Sequence, residues 1–199
     1  MNKTLTQAIK DRRSIYALGK KEVVSQQRIT ELVEFTLTHT PSAFNSQSAR
    51  ILLLFDKESS RFWSLVTATL ESLVPPSDFP KTKEKIQGFD SGYGTILFFE
   101  DQSVVEGLQK SFPLYADNFP VWSLQSNGML EYGLWIALQA EGLGSSLQHY
   151  NPLVDEAVRS TWQLPESWKL LAQMPFGSPE GLPGDKEFSP LEYRLRVAQ

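Results

Sequence analysis

Two short stretches in the first quarter of the chain, and one beyond its middle, carry residue types that suit ligand chemistry. Asp11-Arg12-Arg13-Ser14 closes an early helical pattern. It sets two guanidiniums and a hydroxyl at one helix end, and the planar guanidinium fork matches phosphate oxygens. Pro41-Ser42-Ala43-Phe44-Asn45-Ser46-Gln47 follows the next helix. Its small polar side chains suit hydrogen bonding to a flat, amide-like edge. Gly142-Leu143-Gly144-Ser145-Ser146 adds a glycine-serine loop after a long apolar segment. Each stretch also has a plain structural use. Basic residues in a last helical turn complement the helix dipole. Ser42 and Asn45 are ordinary residues for a loop that stops a helix.

Other reaction classes find little support. The chain has no cysteine, which removes disulfides, thiolate metal sites and cysteine nucleophiles. His39 and His149 are the only histidines, and no His-Glu-x-x-His pattern surrounds them. No Walker loop and no Gly-x-Ser-x-Gly elbow is present. The 142–146 loop follows a helix and opens a strand, the reverse of a dinucleotide-binding fingerprint. With no convincing acid, base or nucleophile, an enzyme built on this chain would take its chemistry from a cofactor. Net charge is -4 and no basic face is implied, so nucleic acid is not expected as a partner. The polar start Met1-Asn2-Lys3-Thr4 does not resemble a signal peptide, and no apolar run is long enough for a bilayer. A cytoplasmic protein without membrane contact is the expectation. Aromatic residues make up 12% of the chain, enough for a filled core and also for a flat pocket or a subunit interface.

The elements that must hold these stretches follow from periodicity and punctuation. Leu5, Ala8 and Ile9 predict a helix over about Thr4–Arg12. Ser25 caps a second helix with an inner stripe of Ile29, Leu32, Val33, Thr36 and Leu37, ending before Pro41. Ile51–Phe55 and Thr95–Phe99 read as strands buried on both faces. Phe62, Val66, Leu70 and Leu73 mark a helix stopped by Pro75-Pro76. Residues 77–94, with Lys81, Lys83 and Lys85, form either a helical lid or a solvated excursion. A short helix follows Asp101. The longest helix spans Asp117–Glu141, regular from Pro120. It is apolar on most sides, so other elements must wrap it, and Gly128 and Gly133 permit close approach. Ser145–Leu147 is a short strand, and Asn151 caps a helix starting at Pro152. Leu170–Met174 is a strand ended by Pro175, and Tyr193–Val197 an edge strand. Without repeat or linker, residues 1–199 read as one α/β or α+β domain. A tail beyond the Gly- and Pro-rich residues 177–190 has little intrachain reason to be ordered, which points to a second subunit.

The three stretches in this order resemble the nitroreductase family, and the resemblance covers nearly the whole chain. Asn151-Pro152 after Gln148-His149-Tyr150 further resembles a subgroup of about this length, the fatty-acid-repression-mutant type. The resemblance implies an α+β fold: a central mixed or antiparallel sheet flanked by helices, with the C-terminal tail exchanged in a homodimer. It implies FMN held non-covalently between two subunits. Arg12, Arg13 and Ser14 then serve the phosphate, ribityl chain and pyrimidine edge. Pro41, Ser42, Asn45 and Gln47 approach the same flavin from the other subunit. Leu143, Gly144, Ser145 and Ser146 bring backbone N–H groups near flavin N5 and O4. Lys186 reaches the phosphate, and Lys85 or Lys83 the N1–C2 carbonyl region. Tyr16 and Phe188 stand where relatives often carry cations, so Arg12 and Arg13 carry more of the phosphate. The implied activity is NAD(P)H-dependent reduction of nitroaromatics, quinones or similar flat electron acceptors by ping-pong hydride transfer, with no obligatory side-chain proton donor. The alternative is an FMN-binding redox sensor with little turnover.

Overall fold

The computed structural model describes residues 3–198. Helix α1 spans Leu5–Asp11, and the Thr4 hydroxyl accepts from Gln7 N–H at its start. Strand β1, Leu18–Gly19, precedes α2, Gln26–His39, which Ser25 caps by accepting from Arg28 N–H. A single 3-10 turn at 43–45 leads into β2, Ala49–Phe55, followed by α3, Asp56–Glu71, and α4, Phe79–Asp90. Then come β3, Gly94–Asp101, α5, Gln102–Ser111, and the long α6, Phe119–Ala140. Strand β4, Gly144–Ser145, helix α7, Asp155–Trp162, and strand β5, Trp168–Pro179, complete the body.

The sheet runs β1-β5-β3-β2, with β4 beside β5, and every ladder is antiparallel. A lone parallel bridge joins Ser14 to Ser145. This is the α+β arrangement that the resemblance implies. Strand β3 is buried along its whole length because helices cover both faces. Ile96 and Phe98 point into a core made with Ile29 and Val33 of α2 and Leu130, Leu134 and Leu138 of α6. Leu97 and Phe99 point the other way, toward Phe62, Trp63 and Val66 of α3, Ile86 and Phe89 of α4, and Val158 of α7. The strand's period of two thus feeds two separate cores. On the second face the Thr95 hydroxyl meets Ser59 Oγ at 2.7 Å and accepts from Trp63 Nε1 at 2.9 Å, so its buried polar atoms are paired.

Several expectations need correction. Strand β2 lies at the sheet edge of this chain, so only Leu54 in it is fully buried. Leu37 and Leu73 are exposed, one near a helix end and one beyond it. Residues 79–90 are a packed helix, not a loose excursion: α4 buries Ile86 and Phe89 against α3. Strand β5 continues past Pro175 to Pro179. Pro175 is tolerated because its carbonyl accepts from Ser146 N–H, on the side of the short β4. Its missing N–H therefore faces that side too, and the long ladder with β3 loses nothing. Strand β4 ends at Ser145. Asn151 does not cap α7: residues 151–154 are turns, Val154 precedes the helix, and the Asn151 side chain instead accepts from Gln173 Nε2. Asp155 and Glu156 do occupy its first turn. Close approach on α6 occurs at Gly133, beside Thr36 Cγ2, and not at Gly128, which faces open space. Residues Tyr193–Val197 are not a strand. The segment pairs with no strand of this chain and holds a 3-10 turn, Leu191–Tyr193, and irregular backbone.

Candidate functional site

Arg12 ends α1, which lies along α6. Immediately after it the chain is zipped to the loop beyond α6. Ile15 N–H donates to Ser145 C=O at 3.0 Å, alongside the Ser14–Ser145 bridge. Gly142, at φ 88°, ends α6 in the left-handed region where glycine is strongly favoured. Gly144 lets the loop press on Ile15, since a Cβ there would sit 3.0 Å from Ile15 Cγ2. The Arg12–Ser14 stretch and the 143–146 loop are therefore one structural unit, although Ser14 and Ser145 are 131 positions apart in the chain.

The arginine guanidiniums are arranged differently. The Arg12 guanidinium lies 4.2 Å over the Trp135 ring of α6, and its Nε is buried with no partner. Arg13 Nη2 donates to Gly184 C=O at 2.6 Å and pins the following loop. Residues 12–17 and 181–186, Lys186 included, enclose a cavity of about 530 Å³. Among the described residues Arg12, Arg13 and Lys186 form no ion pair. Their charge remains available to an anion. Ser145 Oγ and Trp135 Nε1 are likewise buried without partners. Unpaired buried polar atoms cost stability, and Arg12, whose Nε is one of them, lines this cavity, where an anionic ligand would meet its guanidinium.

The flanks refine the lysine expectation. Tyr16 and Ala17 also line a neighbouring cavity with Lys81 and Lys85, and Tyr16 packs 6.2 Å from Phe89. Lys85 thus shares a cavity with Tyr16 and Ala17, whereas Lys83 lines a different cleft between α3 and α4. Lys186 sits over the exposed Phe188 ring at 5.2 Å.

The second wall is built by backbone in unusual conformations. Phe44, Asn45 and Gln47 have φ of 56°, 51° and 48°. Such φ values cost energy for residues other than glycine and cluster at functional sites. Ser42 Oγ accepts from Gln47 N–H at 2.9 Å and closes the loop. Pro41, Ser42 and Gln47 line a cavity of about 300 Å³ together with Arg50 and Ser126. Asn45 is exposed beside it. Within one chain this cavity is separate from that of Arg12, Arg13 and Lys186.

Three residues escaped the sequence reading. Arg50 donates to Gln47 C=O at 2.7 Å and pairs with Asp101 at 3.0 Å, so it ties the second wall to β3. Trp135 is the platform under Arg12, and nothing in an apolar helix singles it out. Glu100 ends the apolar run of β3 and is almost wholly buried, a charge at the end of a core strand. The histidines stay outside the site: His39 packs on Phe35 at 4.5 Å and His149 is exposed. Among the described residues no group of three or more His, Cys, Asp or Glu could hold a metal ion, and no helix is long and apolar enough to cross a membrane.

An antiparallel sheet between two helical layers, with a cationic cavity and a strained polar loop beside its edges, defines a cofactor-binding α+β protein. Residues 9–178 match the model of the nitroreductase family. HBN1 of Saccharomyces cerevisiae is 38% identical over 189 residues, 94% of this chain and 91% of its own. The nitroreductase FRM2 of the same yeast is 35% identical over 183 residues, 91% of each chain. The nitroreductase CinD from Lactococcus lactis, solved with nicotinic acid, is similar in structure at a TM-score of 0.92 and 44% identity, covering 98% of this chain and 100% of its own. The chain belongs to the nitroreductase family and is a flavin-dependent oxidoreductase.

Proposed function

We propose that the protein binds FMN in a homodimer and uses NADH or NADPH to reduce nitroaromatics, quinones or similar flat electrophiles. The observation that carries this reading is the set of unpartnered buried groups, Arg12 Nε and Ser145 Oγ, joined by the Ser14–Ser145 bridge beside the cavity of Arg13 and Lys186. These groups fit FMN. Arg12, Arg13 and Lys186 hold the phosphate, Ser14 the ribityl chain and pyrimidine edge, and Lys85 the N1–C2 carbonyl region. The backbone of Leu143, Gly144, Ser145 and Ser146 serves N5 and O4. Bound FMN supplies hydride transfer between the reductant and the acceptor. The protein's own residues orient the ring and leave one face free, so that reductant and acceptor take turns at roughly 3–3.5 Å from the reacting atom. Complexes of CinD with nicotinic acid, chloramphenicol and 4-nitrophenol support small aromatic acceptors.

Two observations support a second copy. Pro41, Ser42, Asn45 and Gln47 line no cavity in common with Arg12, so a flavin held by both needs the loop of a partner. The tail exposes Leu182, Phe188, Leu191, Tyr193, Leu195 and Val197, and α6 exposes Val121, Leu124, Met129 and Tyr132. An apolar surface of this extent marks an interface. The deciding experiment is the visible spectrum of the purified protein, with and without added FMN, followed by stopped-flow reduction with NADH and NADPH and reoxidation by an acceptor. A flavin spectrum and turnover are expected. A protein that gains no flavin spectrum overturns the reading, and one that binds flavin without turnover is a sensor.

A further inference from the structure

Tyr16 and Ala17 line two cavities at once. On one side is the cavity of Arg12, Arg13 and Lys186, and on the other is one of about 520 Å³ walled by α4. Burial explains the arrangement: Ile15 and Leu18 turn inward, so the two residues between them turn out to solvent. Lys81, Glu84, Lys85 and Gly88 recur at i, i+3, i+4 and i+7, so a single face of α4 forms the opposing wall. The floor is aromatic. Tyr16 packs 6.2 Å from Phe89, and Lys85 Nζ lies 5.9 Å from the Phe89 ring. Tyr16 stays 55% exposed, with a ring face open to a ligand. Gly88 keeps the cavity open, since a Cβ there would meet only the Tyr16 C=O, at 3.7 Å.

The two cavities hold more positive charge than one FMN requires. FMN carries a single phosphate, met by Arg12, Arg13 and Lys186, and Lys85 serves the flavin carbonyl. Lys81 has no such task, and among the described residues neither Lys81 nor Lys85 forms an ion pair. Glu84 in this wall and Asp185 in the neighbouring cavity are the opposing charges. Two lysines to one glutamate leave the α4 wall net positive, on a chain whose net charge is -4. Position supplies the ligand. Ser14, assigned to the pyrimidine edge, is two residues from Tyr16, so the second cavity adjoins the flavin slot. A nicotinamide lying on the flavin must send its pyrophosphate and adenosine beyond the ring. We propose that the cavity between α4 and Tyr16 takes this phosphate-bearing tail of the reductant, with Lys81 on a phosphate and the Tyr16 ring against the adenine. An ammonium on a flexible stem serves a phosphate as a point charge, and an exposed aromatic face suits a flat base. The proposal rests on the flavin reading for the chemistry and adds a binding site to it. The pyrophosphate and, in NADPH, the 2′-phosphate are the two sources of the charge that Lys81 meets.

The test uses Lys81→Gln, which removes the charge on an exposed helical face, and Gly88→Met, which keeps every charge and fills the cavity. Methionine is a better helix former than glycine, so the second variant is expected to fold. FMN-loaded protein is reduced in a stopped-flow instrument with NADPH, with NADH and with the uncharged 1-benzyl-1,4-dihydronicotinamide. Lys81→Gln should raise the nucleotide concentration that half-saturates reduction by about three- to tenfold, the worth of one partly screened charge-assisted contact. Gly88→Met should raise it too. The limiting rate and the reaction with the uncharged analogue stay at wild type. A loss with both nucleotides places the pyrophosphate on Lys81, and a loss with NADPH alone places the 2′-phosphate there. The salt dependence of the nucleotide reaction shrinks in Lys81→Gln. Unchanged half-saturation by both nucleotides in either folded variant overturns the proposal, and so does an equal loss with the uncharged analogue. Calorimetry with ADP and adenosine 2′,5′-bisphosphate needs no flavin reduction. Wild type is expected to bind one of them more tightly than Lys81→Gln does. Binding of neither overturns the site even in a protein that carries flavin and turns over. A missing flavin spectrum is a separate signal, which overturns the flavin reading and the reductant assignment with it.

Discussion

Arg12→Ala probes the anion site most directly. Arg12 is half-buried, its Nε has no partner, and no carboxylate competes for its charge among the described residues. Trp135 lies 4.2 Å beneath and holds the guanidinium plane, so little rotamer freedom is left to lose on binding. A charge-assisted contact contributes about 1.5–3 kcal/mol, and the pre-set geometry places Arg12 in the upper part of that range. FMN affinity should fall by roughly 30- to 150-fold. Arg12→Lys keeps the charge but loses the fork and the stacking, and should fall between the two. Arg13→Ala should cost less, because Arg13 already donates to Gly184 C=O. The flavin-free protein should change in stability by about 1 kcal/mol or less, since the lost stacking on Trp135 is offset by removing an unpaired buried N–H. Quenching of flavin fluorescence on binding measures the affinities at fixed low salt, with circular dichroism as the fold control. An Arg12→Ala protein that folds and binds FMN within twofold of wild type would refute the reasoning and move the phosphate elsewhere.

Three further outcomes are expected. Glu131, on α6, is pushed up to about 7 by burial alone. The folded state therefore favours its protonated form, and the stability this brings is complete below about pH 4.5 and lost as pH rises through 7. Glu131→Gln should raise stability at pH 8 by about 2 kcal/mol, allowing for the part of the carboxyl that still meets water, and leave it unchanged at pH 4. Equal urea midpoints at pH 8 would exclude it. Thr95→Val strands Ser59 and Trp63 Nε1 in the core. It should cost about 2–4 kcal/mol in urea unfolding, and a loss below 1 kcal/mol would mean the site admits water. Removing residues 187–199 should give a monomer by sedimentation with FMN affinity reduced, and a flavin-loaded dimer of the shortened chain would contradict tail exchange.

The lesson of the strands is physical. The continuous apolar run Thr95–Phe99 announced a strand covered on both faces, and β3 is one. The similar run Ile51–Phe55 did not reveal that it lies at the sheet edge of this chain, only partly buried outside Leu54, because hydropathy records no neighbours. Pro175 read as a stop, yet its missing donor faces the short β4, a matter of pairing side that spacing does not encode. Helix starts at Thr4, Ser25 and Asp101 were legible because a cap is a contact between residues two or three apart.

Local chemistry was therefore present in the sequence itself. The types and order of Arg12-Arg13-Ser14, the Pro41–Gln47 loop and the 142–146 glycines suffice for the family. Tertiary structure alone decided that Ser14 is bridged to Ser145, that Trp135 lies under Arg12, and that Lys85 rather than Lys83 faces the Tyr16 side. It also decided that Glu100 is buried against Asn127. The reason is range. Capping and periodicity act over a few residues, whereas burial, pairing and cavities depend on segments more than a hundred residues apart, whose meeting is set by how two cores pack on one sheet.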